Sequence, residues 1–220
     1  MKVKNEKYQA FLKGELMETI TRTEFDELLE RVKHPQQDQA RCLAILIWMT
    51  AARPSEILRL TGKDFVKERS YLIIKIKGSK GGFARPIPLP YKDTLVKEVW
   101  GYVKDKFPEM FVFWAFRSSS KKRKATVKIK KKMPDGTIGE TVKEYQKEYP
   151  NLSNKLIYWF NRWFGIPPYY FRHNRCTLVA EKEDIEKVRL LKGAKSYNST
   201  LRYMHQTART TKKISKLLVK

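Results

Sequence analysis

The stretch Thr50-Ala-Ala-Arg53-Pro-Ser-Glu-Ile-Leu-Arg-Leu60 decides how this chain folds. Residues 37–50 become almost wholly apolar in their latter half, ending in the run Cys42 to Met49, which predicts a core helix rather than a surface one. Pro54 then fits the first turn of another helix, with Glu56, Ile57 and Leu60 following. A buried helix thus delivers Arg53 at its C-terminal edge.

Upstream, Thr21 or Thr23 caps a helix whose Phe25, Leu28, Leu29 and Val32 recur at helical spacing and which Pro35 ends. Downstream, Asp64-Phe65 begins the exit towards a sheet. Residues 71–77 read as a strand, Gly78-Ser-Lys80-Gly-Gly82 as a flexible tip, and Arg85-Pro-Ile-Pro-Leu89 as the returning strand of a β-hairpin. Residues 92–106 predict a helix with Leu95, Val96, Val99, Trp100 and Val103 on one stripe, and 111–116 a short buried apolar run. An apolar helix over 152–164 is stopped by Gly165, and Pro167-Pro168 is expected to hold the chain extended until Arg172 opens the next helix. A charged helix over 184–191, a polar turn, a helix from near Ser199 carrying Tyr203 and a basic tail over 210–220 complete the chain. In the tail, Ile214, Leu217 and Leu218 recur at helical spacing. The expected class is mainly α with a small antiparallel β-sheet (α+β). Residues 1–20 form a leader or linker and 21–220 one domain.

Charge narrows the partner. With 47 Lys and Arg against 23 Asp and Glu, the net charge of +24 in 220 residues is too one-sided to cancel through surface ion pairs, and it points to a polyanion. DNA or RNA is favoured over a membrane, because the longest apolar run is far short of a span and no N-terminal signal pattern precedes it. Cys42 and Cys176 form neither a disulfide framework nor a zinc spacing, and the cytoplasm is the expected compartment. Between 117 and 150 the composition shifts: nine of the sixteen residues from Arg117 to Lys132 are Lys or Arg, and Asp135-Gly136 supplies a hairpin turn. The expected basic ribbon, with Lys121, Lys122, Arg123, Lys124, Lys128 and Lys130, suits a phosphate backbone. Arg85 joins the expected DNA contacts.

Four ordered segments resemble the tyrosine recombinases and phage-type integrases. Thr50-Ala-Ala-Arg53-Pro-Ser-Glu-Ile is similar to the first arginine box of that family. Gly78-Ser-Lys80-Gly-Gly-Phe-Ala-Arg85-Pro-Ile-Pro-Leu resembles the hairpin that bears its lysine. Tyr169-Tyr-Phe-Arg172-His173-Asn is similar to the second arginine box, and Gly193-Ala-Lys-Ser-Tyr-Asn-Ser-Thr200-Leu-Arg-Tyr203-Met-His205 to the third box and nucleophile.

The resemblance implies a site-specific DNA recombinase. Arg53 and Arg172 would clamp the non-bridging oxygens of a pentacoordinate phosphorus, which planar guanidiniums do bidentately without a metal. Tyr203 would displace a DNA 5′-hydroxyl and store the bond as a 3′-phosphotyrosyl link, and Lys80 would protonate the leaving oxygen, with Lys77 as its fallback. No cofactor is implied.

Two positions depart from the family pattern: Tyr169 and Ala194 stand where the boxes carry imidazole or indole groups. Tyr169 keeps a hydroxyl, as in integrases of archaeal viruses and plasmids. Lys192 or Lys195 is the candidate to replace the group lost at Ala194, and His173 is a possible helper whose expected place is a helix start. Tyr197 competes with Tyr203 as nucleophile. The short leader leaves no room for the usual core-binding domain, so either the chain is a catalytic domain of something longer or a minimal enzyme that self-associates on DNA, from dimer to tetramer. A type IB topoisomerase-like nicking-closing enzyme and a catalytically impaired DNA-binding accessory protein are the alternatives.

Overall fold

The computed structural model describes residues 19–34, 37–78, 82–113, 123–132, 138–147 and 154–204, with backbone alone for 123–132, 138–147, 154, 155, 202 and 204. Helix α1 (Arg22–Glu30) starts on Thr21: the Glu24 amide donates to the Thr21 hydroxyl at 3.3 Å, and the Thr21 amide donates back to the Glu24 carboxylate at 2.8 Å. The helix stops before Pro35, at Glu30, and Val32 is buried just beyond it. Helix α2 (Asp38–Thr50) is buried nearly all round, as its unbroken apolar run requires, and ends on Ala51 in the left-handed conformation with φ 50°. After this sharp stop Arg53 is extended, and Pro54 opens the four-residue helix α3 (Pro54–Ile57).

A single 3-10 turn over Gly62–Asp64 leads into β1 (Phe65–Glu68), which pairs antiparallel with β2 (Tyr71–Ile76), itself paired with β3 (Arg85–Pro90). The order β1-β2-β3 leaves β3 at an edge, where Pro86, Pro88 and Pro90 are tolerated because their missing amides face no partner strand. Arg85, Ile87 and Leu89 alternate with them and point inward. Helix α4 (Thr94–Val103), capped by Asp93, buries Leu95, Val96, Val99 and Val103. Of the run over 111–116, Val112 and Phe113 are buried and 114–116 lie outside the described residues.

Strands β4 (Arg123–Lys132) and β5 (Ile138–Lys147) pair antiparallel from Arg123↔Lys147 to Lys132↔Ile138. The expected Asp135-Gly136 turn falls between them, outside the described residues.

Four helices follow among the described residues: α5 (Asn154–Phe164), α6 (Pro168–Ala180), α7 (Ile185–Lys192) and α8 (Asn198–Met204). The proline pair starts α6 instead of holding it off. Pro167 is the extended cap residue and Pro168 the first helical one, so Arg172 and His173 lie inside the helix rather than at its opening. The tail over 210–220 lies outside the described residues.

An aromatic knot fixes these helices to one another. Phe25 of α1 stacks on Trp48 of α2 at 4.4 Å, and Phe171 of α6 meets Phe25 at 5.4 Å, Phe160 at 5.7 Å and Phe164 at 5.7 Å, each edge to face. Phe171 directly precedes Arg172, so the core itself sets where that guanidinium stands. Phe25→Ala is expected to lower the unfolding free energy by about 3–5 kcal/mol in a urea titration, since it removes the buried ring that links Trp48 to Phe171.

Candidate active site

Glu56 is the centre of the site. It is 1% exposed, its carboxylate accepts from the Arg53 amide at 2.9 Å and from Arg53 Nη1 at 3.1 Å, and its Oε2 lies 3.3 Å from Arg85 Nη2 and 3.9 Å from Arg172 Nη1. Three guanidiniums from three distant segments therefore share one carboxylate. Burial pushes the Glu56 carboxyl up, but the Arg53 amide and the charges of Arg85, Arg172 and Arg53 outweigh it and hold the group below the ordinary carboxylate range. Its signal in the sequence is its place three residues after Arg53, across a helix-starting proline, where a carboxylate caps its own helix.

Arg172 is 0% exposed. Its Nη1 donates to the Ala51 carbonyl at 2.5 Å and its Nη2 to the Lys192 carbonyl at 3.1 Å, while its Nε has no hydrogen-bond partner among the described residues. Both carbonyls it uses belong to helix ends, Ala51 after α2 and Lys192 at the close of α7, where unsatisfied carbonyls attract cations.

Tyr203, 3% exposed, packs with Ala51, Cys176 and Val188. Its hydroxyl lies 3.0 Å from His173 Nδ1, and the ammonium of Lys192 sits 5.0 Å from its ring centroid. Lys192 also donates to the Ser199 carbonyl and, at 3.1 Å, to the Ser199 hydroxyl, which ties α7 to α8. Tyr169 is 46% exposed and meets the His173 ring edge-on at 4.9 Å. Tyr197 faces elsewhere: it donates to Glu186 at 2.5 Å, and that bond raises its phenol while Glu186 falls to about 2 under Arg189 and Tyr197. Ala194 is buried, and Lys195 is exposed with its carbonyl 3.5 Å from Arg189 Nη1.

Arg85 is not where the sequence suggested. At 6% exposure it is enclosed, with Nε donating to the Leu191 carbonyl at 2.8 Å and Nη2 reaching Glu56, so it belongs to the interior rather than to a DNA-facing surface. The period-2 pattern of β3 contains the reason, since Arg85 shares a face with Ile87 and Leu89. Burial lowers its guanidinium below the usual arginine range. Gly193, at φ +68°, passes so close that a Cβ there would lie 2.1 Å from Arg85 Nη1. Lys77 bonds Asp64 at 2.9 Å at the base of the hairpin. Lys80, Lys121, Lys122 and His205 lie outside the described residues, and Arg123, Lys124, Lys128 and Lys130 are placed by backbone alone. Among the described residues no cluster of His, Cys, Asp and Glu could hold a metal, and no helix is long and apolar enough to cross a membrane.

Helices packed with a three-stranded antiparallel sheet are a fold shared with solved recombinases. The structure superposes on the crystal structure of XerH site-specific recombinase bound to palindromic difH substrate, a post-cleavage complex, with a TM-score of 0.57 at 20% identity, covering 94% of this chain and 55% of that one. The XerA recombinase crystal structure matches with a TM-score of 0.57 at 15% identity, covering 91% and 63%. In sequence, the tyrosine recombinase XerA of Pyrococcus furiosus is 26% identical over 201 residues, 90% of this chain and 60% of the relative. Its counterpart from Pyrococcus horikoshii is 27% identical over 212 residues, covering 94% and 62%. The chain thus spans about three-fifths of the length of these curated relatives. The family model described as "Phage integrase family" matches residues 18–210, and the chain belongs to that family.

Replacing Glu56 tests the hub. A carboxyl held low in the folded chain stabilises it fully above the ordinary value near pH 4.3, and that contribution is lost as pH falls through the lower folded value. Glu56→Gln is expected to cost about 3–5 kcal/mol at pH 7 by denaturant titration, because it leaves buried arginines without their counter-ion. Wild type should lose more stability than the variant between pH 5 and acid, which narrows the gap between them.

Proposed function

We propose that this chain is the DNA breaking and rejoining part of a site-specific recombinase of the integrase kind, acting through a 3′-phosphotyrosyl intermediate. The observation that carries the reading is the convergence on α2's end: Arg53 and Arg172 share Glu56, and the Ala51 carbonyl that holds Arg172 belongs to a residue packed in the same buried cluster as Tyr203. In this reading the two guanidiniums bind the scissile phosphate, Tyr203 attacks phosphorus, and Lys80 protonates the departing 5′-oxygen. Tyr169, half exposed beside His173, offers the phosphate a hydroxyl where the family pattern has an imidazole.

Both Arg172 and Tyr203 are covered, so binding DNA must open the Lys192–Ser199 turn and replace the Lys192 carbonyl on Nη2 with a phosphate oxygen. The Nε of Arg172, which has no hydrogen-bond partner among the described residues, supplies a further donor. Residues 21–220 form the catalytic domain in this proposal, the 117–150 ribbon tracks the phosphate backbone, and copies assemble as dimers to tetramers on double-stranded DNA in the cytoplasm. The charge of +24 supports a polyanionic partner.

The test is covalent trapping on a nicked suicide duplex carrying a site recovered by binding selection. Wild type is expected to form a 3′-linked adduct that Tyr203→Phe lacks, and Arg53→Ala to slow adduct formation by about 10²–10³-fold. Site binding without any adduct would assign an accessory DNA-binding role. In the same assay, replacing Lys121, Lys122, Arg123 and Lys124 by Gln should weaken binding across sequences and flatten its salt dependence by about one unit of slope per lost phosphate contact.

A further inference from the structure

Resting on the proposed tyrosine chemistry, we infer that His173 is the catalytic base that takes the phenol proton from Tyr203. With its proton on Nε2, the imidazole presents the Nδ1 lone pair to the Tyr203 hydroxyl, 3.0 Å away, which is direct transfer distance. His173 stands on the same face of α6 as Tyr169, one turn further along, so the imidazole missing from position 169 is present four residues later. The edge of Tyr169 packs against the imidazole ring at 4.9 Å and restricts its orientation. The Lys192 ammonium also stands 5.0 Å from the centroid of the same phenol ring.

The step balances without an added reagent. Tyr203 Oη passes its proton to His173 Nδ1, the Oη–P bond forms, and the P–O5′ bond breaks with its electron pair left on O5′, which takes a proton from the ammonium assigned to Lys80. On rejoining, an incoming 5′-hydroxyl gives its proton to the Lys80 amine, attacks phosphorus, and the departing phenoxide recovers its proton from the His173 imidazolium.

His173→Gln keeps a polar side chain of similar reach but cannot accept the proton. On the suicide duplex it should bind with wild-type affinity and form adduct about 100-fold more slowly. Replacing Tyr203 by a fluorinated tyrosine, whose phenol is more acidic, should restore most of that rate in the His173→Gln background and change wild type little. A substrate with sulfur in place of the bridging 5′-oxygen, which departs without a proton, should not restore it. A wild-type rate in His173→Gln would overturn the inference, as would rescue by the sulfur substrate, which assigns an acid, or failure of the fluorinated tyrosine to rescue, which assigns a structural role. In each of those cases wild type still forms its adduct; loss of that adduct in wild type would remove the tyrosine reading itself and this inference with it.

Discussion

One buried carboxylate governs this structure. Glu56 gathers Arg53 from the end of the central helix, Arg85 from the edge strand and Arg172 from the middle of α6, and each would otherwise be a cation removed from water with like charges beside it. Isolated charges are too costly to bury, so the three segments can close on one another only around that counter-charge. The remaining donors go to carbonyls left open at helix ends, those of Ala51, Leu191 and Lys192. Fold and site are therefore joined: the contacts that place the arginines are the same ones that hold the helices and sheet together.

Much of this was legible in the residues. Apolar periodicity located the principal helices, and the β-branched run with its glycine-rich tip located the β2–β3 hairpin. The four ordered boxes brought Arg53, Arg172 and Tyr203 to attention, and the structure gathers them around the end of α2. The reading failed where local signals have two meanings. Two prolines in a row serve equally as an extended spacer and as a helix start, and the packing of Phe171 into the aromatic knot selects the second. Arg85 looked like one more cation on a basic chain, although its alternation with Ile87 and Leu89 already placed it inside. The bond between Tyr203 and His173 joins residues thirty apart, and no local pattern encodes such an approach.

Different forces hold the two halves of the site. The α7–α8 turn is tied by polar contacts, the Lys192 bonds to Ser199 and Arg189 reaching the carbonyls of Ala194 and Lys195. Beneath α6, by contrast, Phe171 is locked among aromatic rings next to Arg172. One chain thus joins an arginine set by apolar packing to a phenol whose helix is tied by hydrogen bonds.

Gly193 gives the clearest constraint on how such a chain can change over time. With its left-handed backbone and the Arg85 guanidinium where its Cβ would be, the position favours glycine, and any side chain there is strained and must push the end of Arg85 aside. Shortening residue 85 would relieve the clash, yet it would strip a charge from Glu56 and leave the strained backbone in place. A change at either site carries a cost at the other, so sequences descending from this one should tend to keep the glycine and the arginine as a linked pair.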